Sequence, residues 1–475
     1  AARLRHPEVV TFRLGFDKNQ TLTAIDLNIL ENCGAYGPHA LTVMSVTAQK
    51  ALSMYKAPSI RVNGDGVYTN LPIGGAYRGY GAPQAFFPLE SLMDEAANAM
   101  NIDPIELRLK NIFKVGDDIP IAKILGEGRE GFPMVLYSTE VAACLKQGRE
   151  LSGWEQLRAE KQTGRYRRGI GVAVAGQGSG IPGIDMGSAF IKMNEDTSFN
   201  LQVGATDIGT GSDTALAQIA AEVLGVPVEK IIVYSSDTDM TPFDTGAYAS
   251  STTYISGSAV KKAAENCKTM ILDQGRLLLD NDKAEIEGTF VVGEEGKQIS
   301  FEDICTKSFY TDEQKQIMGT ASYMSYDSPP PFNATFAEVE VDTLTGTVRV
   351  IKIVSVTDAG QIINPKMAEG QIEGGIPQAL GMTLSEFMPF DEKGRPLNLD
   401  FNSYHIYTAK DMPELVVRFA ESHEPTGPYG AKAVAEIPIN APAPAVANAV
   451  YNAVGVRVKH LPISPQQILE EMDMD

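Results

Sequence analysis

Three glycine-rich loops, each directly ahead of a helical pattern, restrict what this 475-residue chain can fold into. They run from Gly74 to Gly81, from Gly204 to Gly211 and from Gly246 to Thr253. Glycine lets backbone N–H groups approach a ligand, and a helix N-terminus aims more N–H groups at the same point. Each loop is therefore a seat for a phosphate or another polar anion. Arg78 adds a charged donor to the first. Taken singly, each loop also reads as a tight turn that needs positive φ.

Around these loops the pattern switches between sheet and helix. Apolar and polar residues alternate from Val9 to Leu30 about a turn at Asp17 to Gln20, which predicts an antiparallel hairpin. Phe86, Leu89, Met93, Ala96 and Met100 recur at helical spacing, and Asp103-Pro104 reads as the N-cap and first position of another helix. From Gly169 a strand, a glycine loop and a second strand end at Val203. Ser212-Asp213 then caps an apolar helix from Ala215 to Leu224, stopped by Gly225 and Pro227. Ala337, Val339 and Val341 turn at Leu344 to Gly346 and return through Val348 and Val350 as a second hairpin. The class is α+β, with mixed sheets and packed helices. The basic, polar run Lys161 to Arg168 is the expected connection between a first unit, 1–160, and a second, 161–475.

Composition removes several function classes. A formal net charge of −20 argues against nucleic acid and anionic lipid surfaces as partners. The long uncharged stretch Ile437 to Val456 is broken by Pro438, Pro442 and Pro444, so it reads as a loop leading into an Ala-rich helix and not as a membrane span. Cys33, Cys144, Cys267 and Cys305 are scattered without a CxxC pair, which points to a reduced cytoplasmic protein with no disulfide framework or iron–sulfur cluster of its own. His, Cys and carboxylates show no metal-ligand spacing, and neither a GxSxG nor a Walker loop is present. Ala1 to Pro7 hold no initiator Met and no signal-like apolar core, as in a processed or cut N-terminus.

The segment Gly427 to Pro438 sets a single carboxylate, Glu436, among small and apolar residues. Desolvation in such surroundings tunes a carboxyl group toward neutral pH and suits it to general acid or base work. A buried glutamate also serves in structural ion pairs, and Lys432 is the near partner for one.

An ordered set of motifs runs along nearly the whole chain: Ala76 to Gln84, Glu106 to Asn111, Thr206 to Gly211, Ala249 to Thr252, Asn364-Pro365 with Glu369 to Gly374, and Gly430 to Glu436. Together they resemble the molybdopterin-binding subunits of the xanthine dehydrogenase family of molybdenum hydroxylases. The resemblance implies a metal held by a pterin dithiolene instead of protein side chains. It places Ala76, Tyr77, Arg78, Ile208, Gly209, Thr210, Ala249, Ser250, Ser251, Thr252 and Gln371 around the pterin and its phosphate, with Glu436 as the active-site base. It implies insertion of a water-derived oxygen at an electron-poor carbon of an aromatic N-heterocycle, first a purine such as xanthine or hypoxanthine. Nicotinate or aldehyde-type hydroxylases, or a non-catalytic relative, are the alternatives. The cofactor would be molybdopterin, either alone or as a dinucleotide such as cytosine dinucleotide. Iron–sulfur clusters and FAD are expected on partner subunits.

Two departures from the family pattern shape the expected pocket. The family's Gly-Phe-Gly-Gly loop and the substrate-binding Glu after it should precede the first hairpin and do not, which implies a further chain or segment completing the site. Of the two aromatic rings that clamp a purine, Tyr80 matches the first, while the small residues Ser179 and Gly180 fall near the second. No Arg lies between Arg13 and Arg61, and Gln49 falls near the place of the family's substrate-binding Arg.

Overall fold

A computed structural model describes residues 3–160, 162–312 and 314–472 of the chain. Strands β1 (Glu8–Phe16) and β2 (Leu22–Gly34) form the expected hairpin, and β3 (Ser59–Tyr68) adds parallel to β2. After β4 (Tyr166–Gly176) come β5 (Met186–Met193), β6 (Phe199–Val203) and β7 (Ile231–Ser235), then a small sheet of β8 (Glu285–Glu287), β9 (Phe290–Val292) and β10 (Gln298–Ser300). β11 (Met318–Met324) completes a sheet in the order β11-β5-β6-β7. β12 (Phe332–Asp342), β13 (Thr347–Asp358) and β14 (Glu414–Phe419) complete another in the order β14-β13-β12-β4. Sheets that mix parallel and antiparallel pairs, with helices packed on them, make the α+β class plain.

Local chemistry explains the element ends. The Asp103 carboxylate accepts from the N–H groups of Ile105 and Glu106, and Pro104 opens the helix Pro104–Asn111 as its spacing predicts. Gly225 closes the helix Ser212–Leu224 in the left-handed conformation. The helix Pro442–Val454 lies on β4 at backbone distance, because a Cβ at Gly169 or Gly171 would sit 2.2 Å from the carbonyl oxygens of Ala449 or Ala445. Glycine in the strand against alanine in the helix is what permits that approach.

The apolar cores do not follow the boundary expected at 160/161. One core joins β1 and β2, the helix Ala82–Ala99, the sheet β14-β13-β12-β4 and the helix Pro442–Val454. A second core lies between the sheet β11-β5-β6-β7, the small sheet and the helices around them, its buried residues running from Ala189 to Ile317, with Ala321 and Tyr323 of β11 packed against it. Buried polar contacts explain why the first core crosses the boundary. The Arg108 Nε lies 2.7 Å from Glu90 Oε2, both fully buried, and that same carboxylate oxygen accepts from the Val174 N–H of β4 at 2.8 Å. Of the expected connection Lys161 to Arg168, Lys161 lies outside the described residues, and β4 begins at Tyr166.

The first hairpin carries an unusual acidic pair. Glu8 and Glu31 face each other across β1 and β2, where like charges repel. Burial pushes Glu8 up to about 9, with the Glu31 charge adding to it, and burial pushes Glu31 up to about 7. The Oε2 atoms of both have no hydrogen-bond partner among the described residues, and a proton held between the two carboxyls would satisfy them. The folded pair holds protons that an unfolded chain releases near pH 4 to 5, so its contribution to stability falls as pH rises through about 7 and 9. Glu8→Gln should therefore raise the melting temperature more at about pH 8.5 than at about pH 5. Equal shifts at the two pH values, read by thermal denaturation, would contradict a shared proton.

Candidate active site

The three glycine loops and the segment Gly430 to Glu436 meet around one cavity of about 860 Å³. Glu436 stands at its wall just before a single 3-10 turn, Ile437–Ile439. Its Oε1 accepts from the Gly79 N–H at 3.0 Å and its Oε2 from the Ser250 hydroxyl at 2.8 Å, so the first and third loops grip one carboxylate. Arg78 fastens the same corner. Its Nε donates to the Ala435 carbonyl at 2.6 Å, and its Nη2 reaches the Gln371 carbonyl at 3.1 Å and side chain at 3.4 Å. Burial lowers the pKa of Arg78, and the charge of Glu436 opposes that shift.

Lys432 is not the partner of Glu436. Its ammonium lies 2.9 Å from Asp358 Oδ2, with both side chains fully buried, and donates to the Ser138 carbonyl at 3.2 Å. Asp358 also accepts from the N–H groups of Glu140 and Gly360. Lys432 and Glu436 are four positions apart, but this stretch is irregular backbone and not a helix, so the two side chains do not share a face. The structural pair expected for Glu436 is thereby ruled out, and the glutamate remains half-buried at the cavity.

Most residues singled out in the sequence gather here. Ala76, Tyr77, Arg78 and Tyr80 line the cavity from the first loop, Ile208, Gly209 and Thr210 from the second, and Ala249, Ser250 and Thr252 from the third. Gln371 and Gly180 face it as well. Three residues do not. Ser251 is buried behind its loop and donates to the Tyr248 carbonyl. Ser179 is buried too, donating to the Pro329 carbonyl and accepting from the Ala433 N–H, so it braces the Glu436 segment from behind. Gln49 donates to the Leu125 carbonyl at 2.8 Å and lines a smaller adjoining cavity.

The second loop also differs from a simple anion seat. Gly211 and not Ser212 is the helix cap, and the Asp207 carboxylate takes up the N–H groups of Gly209 at 2.8 Å and Gly211 at 3.1 Å. Burial works to raise the Asp207 pKa, but these backbone donors outweigh it and hold the group below its ordinary value. The loop keeps its Thr210 side chain at the cavity, beside a buried Ser212 hydroxyl that has no partner among the described residues.

Several wall residues escaped the sequence reading. The His39 Nδ1 lies 2.7 Å from the Tyr80 hydroxyl, with the rings edge to face, and burial first of all pushes Tyr80 up to about 12. Tyr248 donates to Asp185 at 2.6 Å. Lys50, Glu127 and Gln177 also face the cavity. Lys50 is one position beyond Gln49, and on a helix that step turns the side chain by about 100°. Glu127 sits in a loop with no periodic signal. Among the described residues no group of three His, Cys, Asp or Glu could hold a metal ion.

A family model described as a molybdopterin cofactor-binding domain matches residues 147–413, and a second of the same description matches 1–112. The chain is 37% identical to a putative xanthine dehydrogenase molybdenum-binding subunit of Escherichia coli (strain K12), covering 100% of this chain and 63% of that relative. It is also 37% identical to a probable hypoxanthine oxidase of the same organism, with 99% and 49% covered. Quinoline 2-oxidoreductase from Pseudomonas putida 86 superposes with a TM-score of 0.89 at 25% identity, covering 98% of this chain and 62% of that one. The chain thus spans less than two thirds of the length of these relatives.

The buried Lys432–Asp358 contact yields a test of what holds the Glu436 segment. Lys432→Met strands a buried carboxylate and should cost about 3 to 5 kcal/mol of stability, most of it restored when Asp358→Leu is added. Denaturant unfolding of the single and double variants reads this directly. A loss under about 1 kcal/mol for the single variant would contradict the pair's anchoring role.

Proposed function

Because this chain belongs to the molybdopterin cofactor-binding domain family, we propose that it builds the molybdenum site of a xanthine dehydrogenase-type hydroxylase acting on a flat N-heteroaromatic such as a purine. The observation that carries this reading is the Glu436 carboxylate, fixed at the cavity wall by the Gly79 N–H and the Ser250 hydroxyl.

The cavity fits a large polar cofactor. Its wall offers the Arg78 guanidinium, the Gln371 amide and the hydroxyls of Thr210, Ser250 and Thr252, and the Ser212 hydroxyl, without a partner among the described residues, lies at the start of a helix. Those residues would hold the pterin and its phosphate, with Ala76, Tyr77, Ile208, Gly209 and Ala249 shaping the walls. A volume of about 860 Å³ leaves room for a dinucleotide form. Bound there, the group supplies the redox centre that takes up electrons as a water-derived oxygen joins carbon.

The chain's own residues supply binding and proton handling. Two fixed donors hold Glu436 in one orientation, so an Oε atom is placed to accept a proton from the attacking water-derived oxygen without first reorganising. The Tyr80 ring, braced by His39, presents an aromatic surface on which a flat heterocycle stacks, which favours such a ring over a small aldehyde. The four cysteines are free, buried and dispersed, so electrons would leave through iron–sulfur and flavin groups carried elsewhere in the complex, in a reduced cytoplasmic setting. A further chain or segment would complete the substrate side.

Glu436→Gln keeps the shape and removes the proton acceptor. In the assembled complex it should leave molybdenum content and melting temperature nearly unchanged while lowering turnover by on the order of 10² to 10⁴. Turnover within a few-fold of the parent, or metal loss that accounts for the inactivity, would remove Glu436 from the role of base.

A further inference from the structure

The main cavity adjoins a smaller one of about 70 Å³, and Glu127 lines both. Among the described residues Glu127 and Glu436 are the carboxylates on the wall of the main cavity, and of the two only Glu127 also reaches the smaller one. The smaller cavity runs outward to Arg129 and Glu130, which are exposed. At about 70 Å³ it has room for a few water molecules, with the Gln49 amide and the Ser53 hydroxyl on its wall as partners for them.

Glu127 is held at this neck by its loop and not by a partner of its own. The Gly126 N–H donates to the Arg129 carbonyl at 2.8 Å, the Gly131 N–H to the Lys123 carbonyl at 3.0 Å, and the Gln49 side chain to the Leu125 carbonyl at 2.8 Å. A Cβ at Gly131 would sit 2.0 Å from the Ala122 carbonyl oxygen, so glycine is what lets the loop pack on the helix Pro120–Ile124. No hydrogen bond or ion pair engages the Glu127 carboxylate among the described residues, and its oxygens are open to the cavities. Burial first of all pushes it up to about 7, with Lys50 and Arg129 opposing the shift and Glu436 and Asp185 adding to it. Tyr80 and Tyr248 stand on the main cavity with it, and Glu130 on the smaller one. Near neutral pH such a carboxyl group both takes up and gives off a proton.

We propose that Glu127 and the smaller cavity form the exit for the protons that the reaction releases at Glu436. This rests on the function proposed above. Joining a water-derived oxygen to a C–H carbon converts R–H and water into R–OH, two electrons and two protons. The electrons leave to the redox centre, and the protons have to reach solvent. Glu436 accepts a proton and must pass it on before the next turnover. Handed through water in the main cavity to the Glu127 carboxylate, and from there through the smaller cavity to solvent, the proton leaves both glutamates as they began.

The assembled complex carrying Glu127→Gln tests this in two independent ways. Infrared titration of the parent should show a protonated-carboxyl band that disappears with a midpoint near pH 7, and the variant should lack it. In steady state the variant should turn over on the order of 100-fold more slowly with substrate affinity unchanged. Imidazole, a diffusible carrier whose pKa lies near neutrality, should restore that turnover at concentrations that leave the parent and Glu436→Gln unchanged. Glu127→Asp should keep most of the parent rate. Absence of the titrating band, turnover of Glu127→Gln within a few-fold of the parent, a loss that imidazole does not restore, or weakened substrate binding would overturn the proposal. A parent complex that oxidises no heterocycle would refute the proposed function, and the exit with it. A parent that does so, beside a variant without the expected loss, would refute the exit alone.

Discussion

The site depends on one buried ion pair. Glu436 sits at the end of an irregular segment, and irregular backbone inside a protein must find hydrogen bonds that no helix or sheet supplies. Lys432 and Asp358 meet that need together. Asp358 ends β13, so the pair ties the segment to the end of a central strand. Around it the Lys432 N–H reaches the Ala359 carbonyl, the Gln361 N–H reaches the Gly430 carbonyl, and Ser179 receives the Ala433 N–H. With one end so fixed, the carboxylate three residues beyond Ala433 meets donors from two separate loops. A pair of this kind contributes little net stability against an apolar alternative, so its value lies in fixing one arrangement of the segment.

The cavity answers a different constraint, that of holding a polar group without a metal cage. Its donors are mostly neutral hydroxyls and amides, with Arg78 fastened to Ala435 and Gln371, and Lys50 making no hydrogen bond or ion pair among the described residues. Asp207 ties up the amides of its own loop and so leaves side chains, not bare N–H groups, to face the cavity.

The sequence made the local elements legible wherever a short-range rule governs them. Alternation predicted the β1–β2 and β12–β13 hairpins and Asp103-Pro104 predicted a capped helix, whereas each glycine loop alone read as a separate anion seat or a tight turn, and only the family resemblance placed the three around one cofactor. What stayed hidden were choices made by tertiary partners. Nothing in the spacing of Lys432 and Glu436 tells that the lysine turns to Asp358, 74 positions away in sequence. The boundary at 160/161 followed a polar run, but Glu90 and Arg108 bind across it to β4. Gln49 was singled out for its position in a family pattern, whereas its neighbour Lys50 is the residue that faces the main cavity. One helical position decides that, and periodicity read without the packed neighbours does not resolve it.

The most direct test of the account is anomalous diffraction at the molybdenum absorption edge on crystals of the assembled complex. The account predicts one strong metal peak inside the cavity bounded by Gln371, Arg78 and Ser250, on the side that Glu436 faces. A peak outside that cavity, or a catalytically competent complex with no molybdenum signal, would contradict it.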